Sequence, residues 1–461
     1  MGYLRELLCV MTTEEITQLK KHDWKGNEGI VIQHLCHFRA HENAEQELQT
    51  AKNFSRSYFD KLTSVLYSKC LQLIATESIV EQLAFLGRRH LHLHIYHQLK
   101  IHERNLASGK LEVDKSYFYL VAFKLCRQMG FEFYDPDKTW HFAQLYLQSK
   151  KDVTKDDKLR VELQHLAVYL QFMLSRGHQK SFEPQLKKQL AAIEKQIGKN
   201  ELPKASYQFH CTMAWYHVHY TNQNPTVIEH LRNALLCYEK QPALFLEFDK
   251  VYVVRALAEA QFNAGNYSAA FRLYSDLWQH HYSLINTNYY HLGLYHDLAL
   301  IVGDTQTATT LLKEIFEQSL KFEVVQSPRM GAYFQHAKYY LLKNDAESAL
   351  EYINDGIALN DKNIMVLDEL QLRMLQATCF VMLQDFDTAL QLISRHTKFL
   401  RLKSLHAPDT DFSRYFKALK MIVRYKQTGK IKQQEFAHLT SVFQLGKKKI
   451  IGLVLDKITG D

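Results

Sequence analysis

Proline is scarce in this chain, with 7 residues in 461, and glycine reaches only 17. So few breaker and turn residues exclude a many-stranded sheet protein or a long disordered tract. Cysteine is sparse too. Cys9, Cys36, Cys70, Cys126, Cys211, Cys237 and Cys379 form no C-x-x-C pair and sit inside apolar helical patterns. They read as small core hydrophobes rather than a disulfide or zinc framework, and a reducing compartment is implied. No apolar run approaches the ~18 residues of a membrane span. Arg5 and Glu6 interrupt the stretch a signal peptide would need, and Glu6 stands where myristoylation of Gly2 requires Ser or Thr. A soluble cytoplasmic protein is expected.

Catalytic motifs are missing as well. The sequence has no G-x-x-x-x-G-K-[ST] loop, no G-x-S-x-G elbow and no G-x-G-x-x-G, and an all-helical chain offers few strand ends on which such groups are mounted. A non-catalytic role without a cofactor is expected.

What is present is apolar and periodic: 46% of residues are hydrophobic and 12% aromatic. The length exceeds the roughly 250–300 residues of a single compact core, so the chain divides or extends as an array. Thr12 and Glu15 have the form of a capping box opening a short helix, two more helices follow, and Ser55 or Ser57 caps a long fourth helix. These make a helical unit over residues 1–78. Residues 79–245 carry long segments of 3.6-residue period, the first a continuous run over 79–106, with breaks at Ser108-Gly109, Asp135-Pro136, Gly177, Gly198 and Asn224-Pro225.

Beyond residue 245 an alanine recurs. Ala270, Ala308, Ala349 and Ala389 lie 38, 41 and 40 residues apart, and Ala258, Ala337 and Ala377 stand 12 residues before three of them. A small residue on each helix of a pair lets the backbones approach closely, and such a period marks stacked helical hairpins. Residues 246–396 therefore resemble the tetratricopeptide repeat family. The match rests on Leu257-Ala258, Gly265-Asn266-Tyr267, Ala270 and Tyr274, then Gly303-Asp304 and Ala308, then Ala337, Tyr340 and Ala349, then Ala377, Phe380, Phe386 and Ala389. The units are longer than the family's 34 residues, lack its leading Trp and close without Pro. The resemblance implies a right-handed α-solenoid whose concave surface binds a peptide or protein segment. The groove positions it implies are Tyr252, Arg255, Glu259 and Phe262, then Tyr290 and Asp297, then Phe334 and Lys338, then Gln371 and Met374. Arg255 is placed to pair with Glu259, so the family's Lys-and-Asn carboxylate clamp is not reproduced. An internal segment with apolar anchors and mixed charge is the expected ligand.

Net charge is +8, but residues 397–461 hold 14 Lys and Arg against 5 Asp and Glu, which leaves −1 for the rest. This end reads as a basic helical cap. Its stripe of Lys417, Lys420, Arg424, Lys447, Lys448 and Lys449 is either a solvated outer face or a contact for a polyanion. The N-terminal unit also has two readings. It is loosely similar to a helix-turn-helix module, with an Arg56-Lys61-Lys69 edge, and on a repeat array it resembles peptide-responsive transcription factors that bind DNA. Residues 1–70 balance 9 basic against 9 acidic residues, which favours a helical cap. His90, His94 and His97 share one helix face within about 60°, a spacing open to a metal or to a row of interhelical hydrogen bonds.

Overall fold

The computed structural model of the chain describes residues 3–41, 43–75, 78–88, 91–110, 113–128, 135–175, 179–198, 201–221, 223–282, 289–321, 327–359, 366–402, 411–430, 432–444 and 446–459. Among the described residues there are 24 α-helices and no β-strand. Two compact units divide at Leu257 and Ala258.

The first unit holds α1 (Tyr3–Cys9), α2 (Thr13–Lys21), α3 (Asn27–Phe38), α4 (Ala44–Ala51), α5 (Arg56–Ala75), α6 (Ile79–Arg88), α7 (His92–Ala107), α8 (Lys115–Gln128), α9 (Pro136–Ser149), α10 (Lys155–Ser175), α11 (Gln179–Ile197), α12 (Pro203–Tyr216) and α13 (Asn224–Lys240), with α14 (Glu247–Asn263) crossing the boundary. The expected capping box is formed: the Glu15 N–H donates to Thr12 Oγ1 at 3.2 Å and the Thr12 N–H to Glu15 Oε2 at 2.7 Å. α1 precedes it, a helix the sequence reading did not assign. The run over 79–106 is two helices, because the Leu91 N–H turns back to Leu86 O at 3.1 Å and Leu91 leaves helical geometry. One apolar cluster joins α1 to the start of α10, from Leu4 to Val161. Farther on, ion pairs stitch α10, α12 and α14. Arg160 Nη2 meets Asp249 at 3.0 Å, and Asp157 takes Lys150 at 2.7 Å and Lys204 at 3.0 Å. Burial opposes the charge on Asp157, but the bonds from Lys150 and Lys204 outweigh it and hold the carboxyl well below its ordinary range.

The second unit continues from α14 through α15 (Tyr267–His280), α16 (Tyr289–Val302), α17 (Thr305–Leu320), α18 (Ser327–Leu342), α19 (Ala346–Ala358), α20 (Val366–Met382), α21 (Phe386–Leu402), α22 (Asp411–Thr428), α23 (Gln433–Thr440) and α24 (Lys449–Thr459). Each helix packs on the next from α15 to α23, and first helices also touch sideways, α16 on α18, α18 on α20 and α20 on α22. The seven alanines of the repeat pattern, Ala258, Ala270, Ala308, Ala337, Ala349, Ala377 and Ala389, are all completely buried. Helix separation depends on the side chains at the crossing, so a methyl at each lets the pairs close tightly.

One turn geometry recurs four times. Gly265, Gly303, Asn344 and Gln384 all have positive φ, between 60° and 82°. The N–H of the next residue reaches back five positions, Asn266 to Gln261 O, Asp304 to Ala299 O, Asp345 to Tyr340 O and Asp385 to Phe380 O, at 2.9–3.0 Å. This is the left-handed C-terminal motif that satisfies the last carbonyls of a helix. The following residue then caps the next helix: Asp304, Asp345 and Asp385 accept from the N–H of Thr307, Ser348 and Thr388 at 3.0–3.1 Å. Sequence reading identified only the first two turns, because Asn344 and Gln384 replace glycine in the others. Among the described residues no helix is long and apolar enough to cross a membrane.

These contacts give opposite expectations at two sites. Ala349→Leu adds three carbons where no space is exposed and should cost about 1–3 kcal/mol. Gln384→Gly should instead gain about 0.5–1 kcal/mol. It removes a left-handed L-residue costing roughly 1–2 kcal/mol, part of which the greater freedom of glycine in the unfolded chain offsets. Urea melts of both variants measure the two shifts.

Candidate interaction surface

The expected groove positions fall in different environments. In the first unit, Tyr252 and Arg255 are half-buried, the guanidinium 5.9 Å from the Tyr252 ring centre, and Tyr252 Oη accepts from Trp215 Nε1 at 2.8 Å. In the second unit Glu259, Phe334 and Gln371 are half-buried. Phe262, Asp297, Lys338 and Met374 are buried, so they are not open groove positions. For Asp297 and Lys338 the reason is the sideways packing of α16 on α18, and Phe262 packs with Tyr267 of the next helix; a helical period gives a residue's face but not which neighbour consumes it. Tyr290 lies in α16, and its side chain falls outside the described residues.

That sideways contact carries a polar seam. Lys338 Nζ on α18 donates to Asp297 Oδ1 on α16 at 2.6 Å and lies 4.7 Å from the Phe334 ring centre. Beside it His296 Nδ1 and Gln335 Oε1 are 2.9 Å apart. Gln335 fits over Gly293, where a Cβ would stand 2.8 Å from its Nε2. Burial alone would raise the pKa of Asp297, yet the Lys338 charge and the His296 contact hold it below the ordinary value.

A second feature lies at the C-terminal ends of the first helices, where the chain turns back. α22 packs on α20 and α21, α23 follows, and the segment from Ser441 then runs past the hairpin turns. Tyr267 Oη donates to Gln444 O at 3.5 Å, and Gly446 lies against Asn263, at the first turn. α24 packs on α16, α18 and α22. Its Ile450, Ile451, Val454, Leu455 and Ile458 are buried, and Ile451 to Ile458 share one apolar cluster with Leu341, Cys379 and Val381. Gly452 is required there, since a Cβ would come 2.2 Å from Phe443 O. Among the described residues its other polar fastenings are Lys457 Nζ to Asn344 Oδ1 at 3.3 Å and Lys448 to Asp411 at 2.6 Å, both exposed. Exposed pairs of this kind contribute about 0–1 kcal/mol, so apolar contact dominates the attachment. Clefts of about 470 and 750 Å³ flank the helix, the first between Leu300, Tyr339 and Leu453, the second between Asp345, Gln384 and Lys426.

Of the basic stripe, Lys417, Lys420 and Arg424 are exposed on α22, Lys448 pairs with Asp411, Lys449 donates to Gln444 Oε1, and the Lys447 side chain falls outside the described residues. On the N-terminal edge Arg56 and Lys61 are exposed and Lys69 meets Glu28 at 2.6 Å. His90 lies outside the described residues. His94 is buried between Tyr67 Oη at 3.1 Å and Glu6 Oε2 at 2.8 Å, while His97 is exposed and stacks on Tyr3. Among the described residues no three His, Cys, Asp or Glu side chains converge as metal ligands.

No protein family, curated protein or solved structure matches this chain.

The Asp297–Lys338 pair yields a double-mutant test. Asp297→Asn or Lys338→Met alone leaves a buried group without its partner and should cost about 3–5 kcal/mol, whereas Asp297→Leu with Lys338→Met should recover most of that loss. Because the folded carboxyl titrates below its unfolded value of about 3.9, its contribution is present above that pH and is lost as pH falls through the folded value. Urea melts of wild type and double variant between about pH 6 and pH 3 measure that difference.

Proposed function

We propose that this chain is a non-catalytic helical-repeat scaffold, similar in plan to tetratricopeptide proteins, that holds a protein or peptide segment against the first helices of its second unit. One observation carries the reading: the C-terminal ends of α16 and α18 already hold an amphipathic helix, α24, by its apolar side chains. The buried alanines and the four equivalent turns support the repeat plan. A rigid, preformed surface lowers the ordering cost of binding such a segment. The buried state of Asp297, Lys338 and Met374 moves the proposed contact from the middle of the first helices to their C-terminal ends and the turns beyond.

The test is cross-linking and mass spectrometry of the intact chain purified from its source, with nuclease treatment. A specific protein partner should survive the nuclease and cross-link to Lys343, Lys426 or Lys457. Retention of DNA or RNA at about 150 mM salt, lost in the Lys417→Glu, Lys420→Glu, Arg424→Glu variant, would replace the scaffold reading with a nucleic-acid one.

A further inference from the structure

We propose that α24 is the chain's own occupant of a helix-binding site, and that the site serves a partner helix of the same pattern which must displace it. The inference rests on the scaffold reading and names its ligand: an amphipathic helix with branched apolar side chains at i, i+1, i+4, i+5 and i+8. That is the spacing of Ile450, Ile451, Val454, Leu455 and Ile458, all buried, the last four in one apolar cluster with Leu341, Cys379 and Val381. These positions make one face of about a third of the helix circumference, the arrangement by which an amphipathic helix enters a groove.

Three features distinguish α24 from the helices of the array. Helices α15 to α23 follow one another in contact, each on the next, whereas α24 lies on α16 and α18, far back in the chain, as well as on α22. Among the described residues its direct polar link to the turns it crosses is Lys457 with Asn344, at the surface, while the first helices themselves share the buried Asp297–Lys338 pair. The cleft beside it, bounded by Leu300, Ile301, Tyr339, Leu342 and Leu453, leaves apolar wall on the first-helix ends that α24 does not fill. A helix with a bulkier residue at the position of Leu453 would cover that wall as well as the ground α24 holds. The second cleft is lined by Asp345, Glu347, Lys426 and Lys457, and Lys457 reaches Asn344, so a residue with a donor at that position of the partner suits the site.

A tethered occupant competes at an effective concentration in the millimolar range for a short link. It therefore lowers the apparent affinity of any helix added in trans by the fraction of time the site stands open. The experiment uses the full chain and a fluorescent peptide with the sequence of residues 446–461. Val454→Asp places a charge at the centre of the buried face, releasing α24 while leaving the receiving surface unaltered. Fluorescence anisotropy should show this variant binding the peptide at least about 100-fold more tightly than wild type, and a peptide carrying the same Asp should bind neither chain. Circular dichroism checks the variant's helix content, and Leu455→Ala replaces it if that content falls. A second readout needs no substitution: amides of α24 in the wild-type chain should exchange about 100-fold faster than those of α18.

A folded Val454→Asp chain that ignores the peptide overturns the proposal, as do α24 amides protected as long as those of α18. A concentration-dependent dimer of wild type that Val454→Asp abolishes also overturns it, because the occupant would then be the α24 of a second copy. A partner that binds wild type and Val454→Asp equally at another surface removes this inference and leaves the scaffold reading standing. Peptide capture by the variant supports the inference even where no protein partner cross-links near the turns.

Discussion

Close approach of paired helices is the constraint on which the second unit depends, and it is met at two points in every hairpin. At the crossing an alanine keeps the backbones near one another; at the end a left-handed residue reverses the chain within two or three positions. Neither works without the other. A tight reversal leaves no room for a large side chain at the crossing, and a small residue at the crossing stabilises nothing unless the turn brings the second helix alongside. In three of the four reversals the aspartate after the left-handed residue joins the two by giving the incoming helix a partner for its free N–H groups.

Stacking of the hairpins is a separate problem, and polar groups take part in it. Asp297 and Lys338 face each other from neighbouring first helices, with His296 and Gln335 beside them. Taking both charges out of water offsets much of their attraction, so such a pair contributes less to stability than to the choice of one arrangement. A shift of α18 along α16 would part Lys338 Nζ from Asp297 Oδ1. An apolar seam would tolerate a shift along the helix axis.

The same regularity creates the candidate surface. Because the four reversals are alike, the C-terminal ends of the first helices and the turns that follow recur along the unit, and the returning segment meets them in order from Asn263 to Asn344. Its apolar face matches theirs, and Lys448 and Lys457 pair at the surface. A surface built from repeated ends would suit a helical or extended ligand better than a small molecule, which needs a deep concave pocket.

Much of this was legible before any coordinates. Helical periodicity, the shortage of proline and glycine and the recurring alanines determined an all-helical chain with hairpins in its second half, since those signals depend on neighbours within a few turns of helix. Thr12 with Glu15, and Asp135 with Pro136, marked helix starts because a cap is a local bond. The turns at Asn344 and Gln384 were hidden, since a left-handed residue other than glycine leaves no compositional trace, although the aspartate after each was a usable signal. Tertiary structure alone decided which face of each first helix is consumed. Phe262, Asp297, Lys338 and Met374 occupy plausible groove positions on an isolated helix and are buried in the folded chain, Asp297 and Lys338 against each other across neighbouring first helices. It also decided that the basic segment at the far end returns across the first-helix ends, because the partner of an amphipathic face is chosen by shape and burial over the whole unit, and periodicity records only that such a face exists.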